Sequence, residues 1–383
     1  MAEVTSINHL PNDTVRCILS RLPVSTLLEL RYVSKSWEGT ISAAISDPAF
    51  VKAHLEHQHT DSYNLFLRKL TISDHSRITY DFSLMRASDD DDDDEFELQS
   101  SLVSSRPGFN DVLCTCDGVM LLTADTRHSY KAHTAFMLWN PSTNKKATFL
   151  FPYKFQRHPA KHGMCHNPVT DEFKVVVAWN THYAVYSCKN NLWSELRDFR
   201  YSCKMGDAEG LFVDGVIYWV VLDEEVPRSR EIVYFDPSDD GFKKVEKPIH
   251  GNINENFDLV VLRGCLCLYT YDEGEVRIWI KEEGKDKMVW TELMIIETES
   301  EEEDDIWFRP ICSLENDKIL LNMENEGFVV YNPSEKTFGE YFDYSFEYSY
   351  SHIQMFPCKE TLLFPLENIR RPKRKRSKRM SDF

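Results

Sequence analysis

The first 40 residues of the chain carry apolar side chains at helical spacing. One face of a first predicted helix consists of Val15, Ile18, Leu19 and Leu22. Pro23 ends this helix, because proline lacks an N–H group and clashes with the preceding turn. Thr26 and Glu29 form a capping-box pattern, which predicts the start of a second helix. The apolar side of the second helix consists of Leu27, Leu28, Leu30, Val33 and Trp37.

This helical pair has more apolar surface than it can bury by itself. A unit of about 40 residues rarely forms a sufficient core without disulfides, a metal or a partner. No metal-ligand spacing occurs in the stretch, so the apolar side chains indicate one or more partner helices. The alternative is an ordinary helical hairpin that belongs to the core of the domain that follows.

Five short motifs in this stretch resemble the F-box of the large plant families: LP at 10–11, IL at 18–19, RLP at 21–23, VSKSW at 33–37 and DPxF at 47–50. The resemblance implies a three-helix module that docks on a Skp-type adaptor and, through it, on a cullin–RING core. Carried over by position, the adaptor-binding residues are Leu10, Pro11, Ile18, Leu19, Leu22, Pro23, Leu27, Leu28, Val33 and Trp37. Family members usually have a basic residue where this chain has Ser25 and another where it has Glu29.

From residue 63 onward the apolar pattern changes from the period of helices to that of strands. One phrase, an apolar strand followed by a turn and a Phe or Trp, recurs at 138–149, 185–193, 233–242, 276–290 and 329–338. Its aromatics Trp139, Tyr186, Phe235, Trp279 and Tyr331 follow one another at steps of 47, 49, 44 and 52 residues. Such a period is typical of propeller blades, because radially stacked sheets cover the faces that one small sheet exposes.

A second phrase, a tight turn followed by an apolar strand, precedes most copies, at 116–122, 213–221, 262–269 and 315–323. The order of these motifs resembles the F-box-associated interaction domain of plant F-box proteins over about residues 63–365, without the Gly-Gly pairs of kelch blades. Five blades are visible, and residues 63–85 with a strand around Leu362–Pro365 could build a sixth.

We therefore predict an α+β multidomain protein. A small three-helix F-box occupies residues 1–60, with its core at 8–50, and an all-β propeller-like repeat domain occupies residues 61–366. A basic tail at 367–383 has no apolar periodicity, so we expect it to be disordered.

Composition limits the compartment and the partners. No apolar run approaches the ~18 residues that a membrane helix requires, and the N-terminus lacks a basic and an apolar signal region. A reducing compartment, cytoplasm or nucleus, is expected.

The ten cysteines fit a reducing compartment. The pairs Cys114 and Cys116, and Cys265 and Cys267, lie in apolar runs, which favours burial on a strand face over zinc binding. The net charge of −18 disfavours nucleic acid and suits a basic protein partner.

Several polar stretches have alternative interpretations. Dense acidic runs predict solvated loops at 89–97 and 297–305, and a metal site there is disfavoured. His158, His162 and His166 are spaced like helical metal ligands, but Asn167-Pro168 and the resemblance favour structural roles in strands. Alternating aromatics at Tyr344, Phe346, Tyr348 and Tyr350 favour core packing, with a target-binding surface as the alternative. A nuclear localisation signal is predicted at Arg370, Arg371, Lys373, Arg374, Lys375 and Arg376.

No catalytic motif is present in the sequence, and no cofactor is expected. An oxidase-type propeller enzyme is disfavoured, because the sequence shows no Tyr, His and Cys copper set. The resemblance implies the substrate-recognition subunit of an SCF-type ubiquitin ligase, a non-catalytic subunit that holds a target near a charged enzyme. The alternative is a non-degradative protein- or glycan-binding scaffold that uses the F-box only for assembly.

Overall fold

The computed structural model describes residues 11–57, 64–72, 78–87, 96–104, 111–123, 135–153, 160–167, 169–203, 209–223, 229–248, 257–272, 274–283, 288–297, 307–323, 327–343 and 351–365. Its helices are α1 (Asn12–Leu19), α2 (Val24–Leu30), α3 (Lys35–Ile45) and α4 (Pro48–His57). The resemblance implied three helices, and the structure has four in this region. None of the four has the length and apolar character that a bilayer crossing needs.

Proline and serine set the starts of the N-terminal helices. Pro23 stands at the start of α2 with a φ of −54°, and its carbonyl accepts the Leu27 N–H at 3.0 Å. The helix therefore begins two residues before Thr26, and the capping-box prediction was wrong. The next helix, α3, starts after Ser34, whose Oγ accepts the Trp37 N–H at 3.2 Å. Trp37 thus belongs to α3 rather than to the predicted second helix.

The four helices share one small apolar core. Its buried residues are Val15, Leu19, Val24, Leu27, Ile41, Ala44, Phe50 and Leu362. Seven of them come from the first 50 residues, and the eighth comes from the C-terminal part of the chain. The His54 ring is buried, and its Nε2 lies 2.9 Å from the Leu22 carbonyl oxygen. This contact ties α4 to the connection between α1 and α2. The α-helical module therefore needs the far end of the chain to complete its packing.

The rest of the described chain is made of strands, apart from turns and one 3-10 turn at Glu315–Asp317. In chain order they are β1 (Asn64–Ile72), β2 (Ile78–Ala87), β3 (Phe96–Ser104), β4 (Asp111–Cys116), β5 (Val119–Thr123), β6 (Ala135–Asn140), β7 (Lys145–Leu150), β8 (Ala160–Asn167), β9 (Glu172–Trp179), β10 (His182–Ser187), β11 (Leu192–Trp193), β12 (Arg197–Asp198), β13 (Tyr201–Ser202), β14 (Leu211–Val213), β15 (Val216–Asp223), β16 (Arg230–Asp236), β17 (Gly241–Val245), β18 (Phe257–Leu262), β19 (Cys265–Asp272), β20 (Glu275–Glu283), β21 (Met288–Glu297), β22 (Phe308–Ser313), β23 (Ile319–Met323), β24 (Gly327–Asn332), β25 (Thr337–Asp343) and β26 (Ser351–Cys358).

These strands form six antiparallel sheets of four or five strands. Each sheet places its first strand next to the first strands of its neighbours, in the cyclic order β26, β4, β8, β14, β18, β22 and back to β26. The architecture is a β-propeller, as the repeat predicted. The sixth sheet combines β1, β2 and β3 with β26, so the last strand of the described residues closes the ring beside the first.

The C-terminal strand of this sixth sheet lies earlier than predicted. Strand β26 ends at Cys358, and its Phe356 pairs with Phe66 of β1. Leu362–Pro365, predicted to be the strand, is instead an irregular segment outside the sheet. An apolar run of this length fits a strand and any other buried segment equally well, which explains the error.

The turn phrase corresponds to the hairpin between the first and second strand of a sheet. Asp117-Gly118, Asp214-Gly215 and Arg263-Gly264 have positive φ at both positions, 45° and 76°, 50° and 82°, and 52° and 72°. Two such residues make the type I′ turn, whose twist matches that of a two-residue hairpin. The turn phrase in the sequence therefore predicted these hairpins correctly.

The aromatic phrase corresponds to the third strand and the turn after it. Trp139, Tyr186, Phe235, Trp279 and Tyr331 all lie on third strands and are buried. The residue that ends this strand accepts a backbone N–H from the turn in four sheets: Asn140 from Thr143, Ser187 from Asn190, Asp236 from Ser238 and Asn332 from Ser334. The repeated sequence phrase thus corresponds to a buried aromatic side chain and, in four sheets, to a hydrogen bond that holds the following turn.

Residues 359–365, named here the strap, connect the propeller to the helical module. The Asn140 side chain is fully buried, and its Nδ2 donates to the carbonyl oxygens of Thr361 at 2.9 Å and Leu363 at 2.7 Å. Leu362 points into the helical core, and Leu363 into the propeller core with Val51 and Leu55 of α4 packed beside it. The strap therefore belongs to both cores at once.

Topology gives the propeller two distinct faces. The first and third strands of each described sheet end on one face, which is also where β26 ends and the strap begins. We call this the F-box face. The second and fourth strands end on the opposite face. Gly118, on the F-box face, lets the strap come close, because a Cβ there would lie 2.2 Å from the Lys359 carbonyl oxygen.

We expect Asn140→Ala to loosen the strap. The substitution leaves the carbonyls of Thr361 and Leu363 buried without their shared donor, which costs at least about 2 kcal/mol. The expected result is a lower Tm by calorimetry and faster proteolysis at the strap. Asn332→Ala is the matched control, because Asn332 holds the same turn position in another sheet and accepts the Ser334 N–H at 3.1 Å. Equal losses in both variants would show that the turn, and not the strap, accounts for the effect.

Candidate protein-binding surfaces

The predicted adaptor-binding residues divide into three groups by exposure. Pro11, Ile18, Pro23 and Val33 are exposed, Leu22, Leu28 and Trp37 are half-buried, and Leu19 and Leu27 are buried. Leu10 lies outside the described residues. Leu19 and Leu27 are 1% and 0% exposed in the helical core, so they support the surface by packing rather than by direct contact. The other seven residues stay predicted contacts.

The turn between α2 and α3 adds a residue that the sequence analysis missed. Tyr32 is 90% exposed and Val33 is 64% exposed, next to each other in the chain. Their N–H groups donate to the carbonyls of Glu29 at 2.9 Å and Leu30 at 3.2 Å, so the turn backbone is held in place. Exposed Tyr on a fixed turn is typical of interface hot spots. The signal available in the sequence was its position directly before the VSKSW motif.

The two departures from the family pattern occupy different environments. The Ser25 N–H donates to Glu360 Oε2 at 3.2 Å, and Ser25 Oγ lies 3.5 Å from the same oxygen. Position 25 therefore faces the strap. Glu29 is exposed on α2. Among the described residues, Ser25 hydrogen-bonds the strap and Glu29 does not.

Most of the predicted aromatic, basic and acidic stretches lie outside the described residues. These are Tyr344, Phe346, Tyr348 and Tyr350, the tail residues from Arg370 to Arg376, and the greater part of both acidic runs. At the edges of the acidic runs, Phe96 and Glu97 belong to β3, and Glu297 is the last residue of β21. The predicted loops are therefore shorter than 89–97 and 297–305.

A cavity of about 330 Å³ follows the axis of the propeller. It is lined by the first strands and their turns, and its charged residues are Asp117, Glu209, Asp214, Arg309 and Lys359. The volume is at the lower end of that of small-molecule sites. Its lining combines both signs of charge with apolar side chains such as Leu259 and Ile311.

His162 and His166 lie on β8, a strand, as the structural interpretation predicted. Burial, and to a lesser extent the charge of Lys161, lower the pKa of His162 to about 4, so this ring is neutral. Burial alone would lower the pKa of His166 as well. The Asp117 carboxylate, 2.9 Å from Nδ1, and Asp171, 3.2 Å from Nε2, outweigh burial and raise that pKa. Across the described part of the chain, no three His, Cys, Asp or Glu side chains are placed to hold a metal ion.

The ten cysteines are free thiols, and eight of them are buried. Cys17 on α1 is exposed, and Cys265, predicted to be buried with Cys267, is half-buried. Cys114 and Cys116 alternate with half-buried neighbours along β4, so both point to one face of the strand as predicted. Burial raises the pKa of Cys165 and of Cys267 to about 12. A thiol with a raised pKa is a poor nucleophile, because the thiolate is the reactive form. These cysteines therefore pack as small apolar side chains.

Comparison with known families gives two matches. A model of the F-box domain matches residues 7–43, and a model of the F-box associated beta propeller domain matches residues 71–357. Among relatives from Arabidopsis thaliana, the chain is 26% identical over 353 residues to F-box protein At4g22390, covering 82% of this chain and 81% of that one. It is 24% identical over 368 residues to F-box protein CPR1, covering 85% and 83%. It is 24% identical over 355 residues to F-box/kelch-repeat protein At3g23880, covering 88% and 91%.

We expect Val33→Asp and Ile18→Asp to weaken binding to a Skp-type adaptor by about tenfold or more. Both substitutions place a charge on an exposed apolar position that a partner would have to desolvate. Pull-down with purified adaptor measures the effect. Val289→Asp is the control, because Val289 is 50% exposed on β21 of the propeller. Adaptor binding by Val33→Asp and Ile18→Asp at the wild-type level would place the adaptor contact elsewhere.

Proposed function

Because the chain belongs to the F-box proteins that carry an F-box associated beta propeller domain, we propose that it is the substrate-recognition subunit of an SCF-type ubiquitin ligase. In this role the F-box binds a Skp-type adaptor, and the propeller selects a target protein for ubiquitination and proteasomal degradation. Family membership supports the adaptor side of the proposal. The physical link between the two domains supports the target side.

The strap is the observation that favours this function. Leu362 is 4% exposed in the helical core, and the Asn140 amide fixes the backbone on both sides of it. A target bound to the propeller is therefore held at a defined position relative to the adaptor. Ubiquitin transfer needs a target lysine close to a charged enzyme, and a fixed connection raises the effective concentration of that lysine. A subunit with this role needs no catalytic residue of its own.

Target stability distinguishes degradation from scaffolding. We expect proteins captured by the Val33→Asp variant in plant cells to have longer half-lives than in cells with the wild-type chain. The reason is that the variant keeps the propeller and weakens only the adaptor contact. Val289→Asp serves as the control and should leave half-lives at the wild-type level. Cullin inhibition should reproduce the effect of Val33→Asp. Half-lives that change with neither treatment would favour the non-degradative scaffold.

We also propose that the protein enters the nucleus through its basic tail and is present in nucleus and cytoplasm. Residues 370–379 hold eight Lys or Arg, a density that import receptors recognise. A fluorescent fusion of the full chain should lose most of its nuclear signal when Lys373, Arg374, Lys375 and Arg376 are changed to Gln. An unchanged nuclear fraction in the confocal images would contradict the proposal.

A further inference from the structure

An exposed aromatic pair lies on the face of the propeller opposite the F-box. Tyr271 is next to the end of β19, and Trp307 directly precedes β22 in the adjacent sheet. Their ring centroids are 5.0 Å apart with an interplanar angle of 31°. Trp307 remains 50% exposed, although the pair forms part of the contact between two sheets. The two rings are tilted against each other, and half of the Trp307 surface remains open to solvent.

Half-exposed tryptophan is unusual enough to need a reason. Scattered apolar side chains are normal on a protein surface, but Trp is a large side chain that folding usually covers. Among the described residues, no cation lies over the Trp307 ring. By contrast, Lys281 lies over the Tyr218 ring at 5.0 Å and Lys146 over the Trp139 ring at 5.0 Å. The chain thus has covered aromatic faces at other sites and an open one here.

Carboxylates lie at the same edge of the sheet as Tyr271. Asp272 follows Tyr271 and pairs in register with Glu275, which in turn pairs with Glu297. Glu275 has a cation of its own, because Arg277 Nη2 lies 2.7 Å from it. Asp272 and Glu297 are exposed, and within the described ranges no basic side chain is in ion-pair distance of either. The edge therefore carries negative charge that the fold does not neutralise.

The sequence adds to this charge. Seven of the nine residues from 297 to 305 are acidic, and this stretch leads directly to Trp307. The basic residue close by in sequence, Arg309, lines the axial cavity. A partner with acidic or phosphate groups would be repelled at this edge. A partner with basic groups would be attracted both by the carboxylates and by the electron-rich face of the indole.

We propose that Trp307, Tyr271, Asp272 and Glu297 form a docking surface for an arginine- or lysine-bearing segment of the target protein. A guanidinium or ammonium group stacks on the open face of Trp307 while the two carboxylates bind its neighbouring cations. The inference rests on the proposed function, because the face opposite the F-box is the one that adaptor binding leaves accessible. It also explains why the chain combines an acidic body with an exposed indole.

A labelled peptide tests the surface directly. The full chain bound to its adaptor is titrated with a fluorescein-labelled peptide of alternating arginine and glycine, read by fluorescence anisotropy. The reference peptide has citrulline in place of arginine, which keeps the shape and removes the charge. We expect Trp307→Ala and Trp307→Leu to weaken binding about tenfold. Asp272→Asn with Glu297→Gln should weaken it severalfold and reduce its salt dependence.

Val289→Ala is the matched control, because Val289 is as exposed as Trp307 but lies at the other end of the same sheet as Tyr271. Its affinity should equal that of the wild type, and thermal melts should show that Trp307→Leu remains folded. Equal affinity of Trp307→Ala and Val289→Ala would overturn the proposal. So would equal binding of the citrulline peptide, which would indicate an apolar partner.

The chain's own basic tail is the competing occupant. Changing Lys373, Arg374, Lys375 and Arg376 to Gln in the full chain separates the two cases. If the arginine peptide binds only after this change, the surface holds the tail and the proposal is wrong. Adaptor binding is measured on the same samples. A wild-type chain that binds the peptide but no adaptor would contradict the proposed function and leave the docking surface standing.

Discussion

The amide of Asn140 donates to the carbonyl oxygens of Thr361 and Leu363, and the rest of the structure depends on this contact. It fixes the segment that leaves the closing strand β26, and it does so in a site from which water is excluded. Burial of Leu362 adds about 1.5–3 kcal/mol to the helical core. Because the same few residues also border the propeller core through Leu363, the two domains are packed as one unit. Residues near both ends of the described part of the chain therefore meet where the helical module joins the propeller.

This arrangement separates the two protein-binding surfaces in space. The helical module, with the exposed side chains of Tyr32 and Val33, sits on the face where β26 ends. The ends of the second and fourth strands, and the pair Tyr271 and Trp307, lie on the opposite face. An adaptor and a target therefore need not compete for the same surface. Because the body between the two surfaces is rigid, a bound adaptor and a bound target are held at a fixed distance. Proximity of this kind accelerates a reaction without any catalytic side chain.

The sequence predicted best what local chemistry determines. The Asp-Gly pairs require positive φ, and the aromatics at steps near 48 residues mark third strands, so hairpins and blades followed from a few residues each. Contacts between distant residues were not predictable in this way. Leu362–Pro365 has the composition of a strand and becomes a strap only because the Asn140 amide and the helical core meet it. Helical spacing identified Ile18 and Leu19 as one apolar face but could not decide which of the two faces solvent.

Ser25 illustrates how such a distant contact changes the meaning of a family position. A basic residue there, as in most of the family, would lie against the Glu360 carboxylate, where Ser25 offers its N–H at 3.2 Å and its hydroxyl at 3.5 Å. An exposed ion pair of that kind contributes about 0–1 kcal/mol and weakens with salt. In this chain the link between F-box and strap rests instead on buried Leu362 and on neutral hydrogen bonds to Asn140. Both are screened little by ions, so the loss of charge at position 25 need not loosen the connection that positions the target.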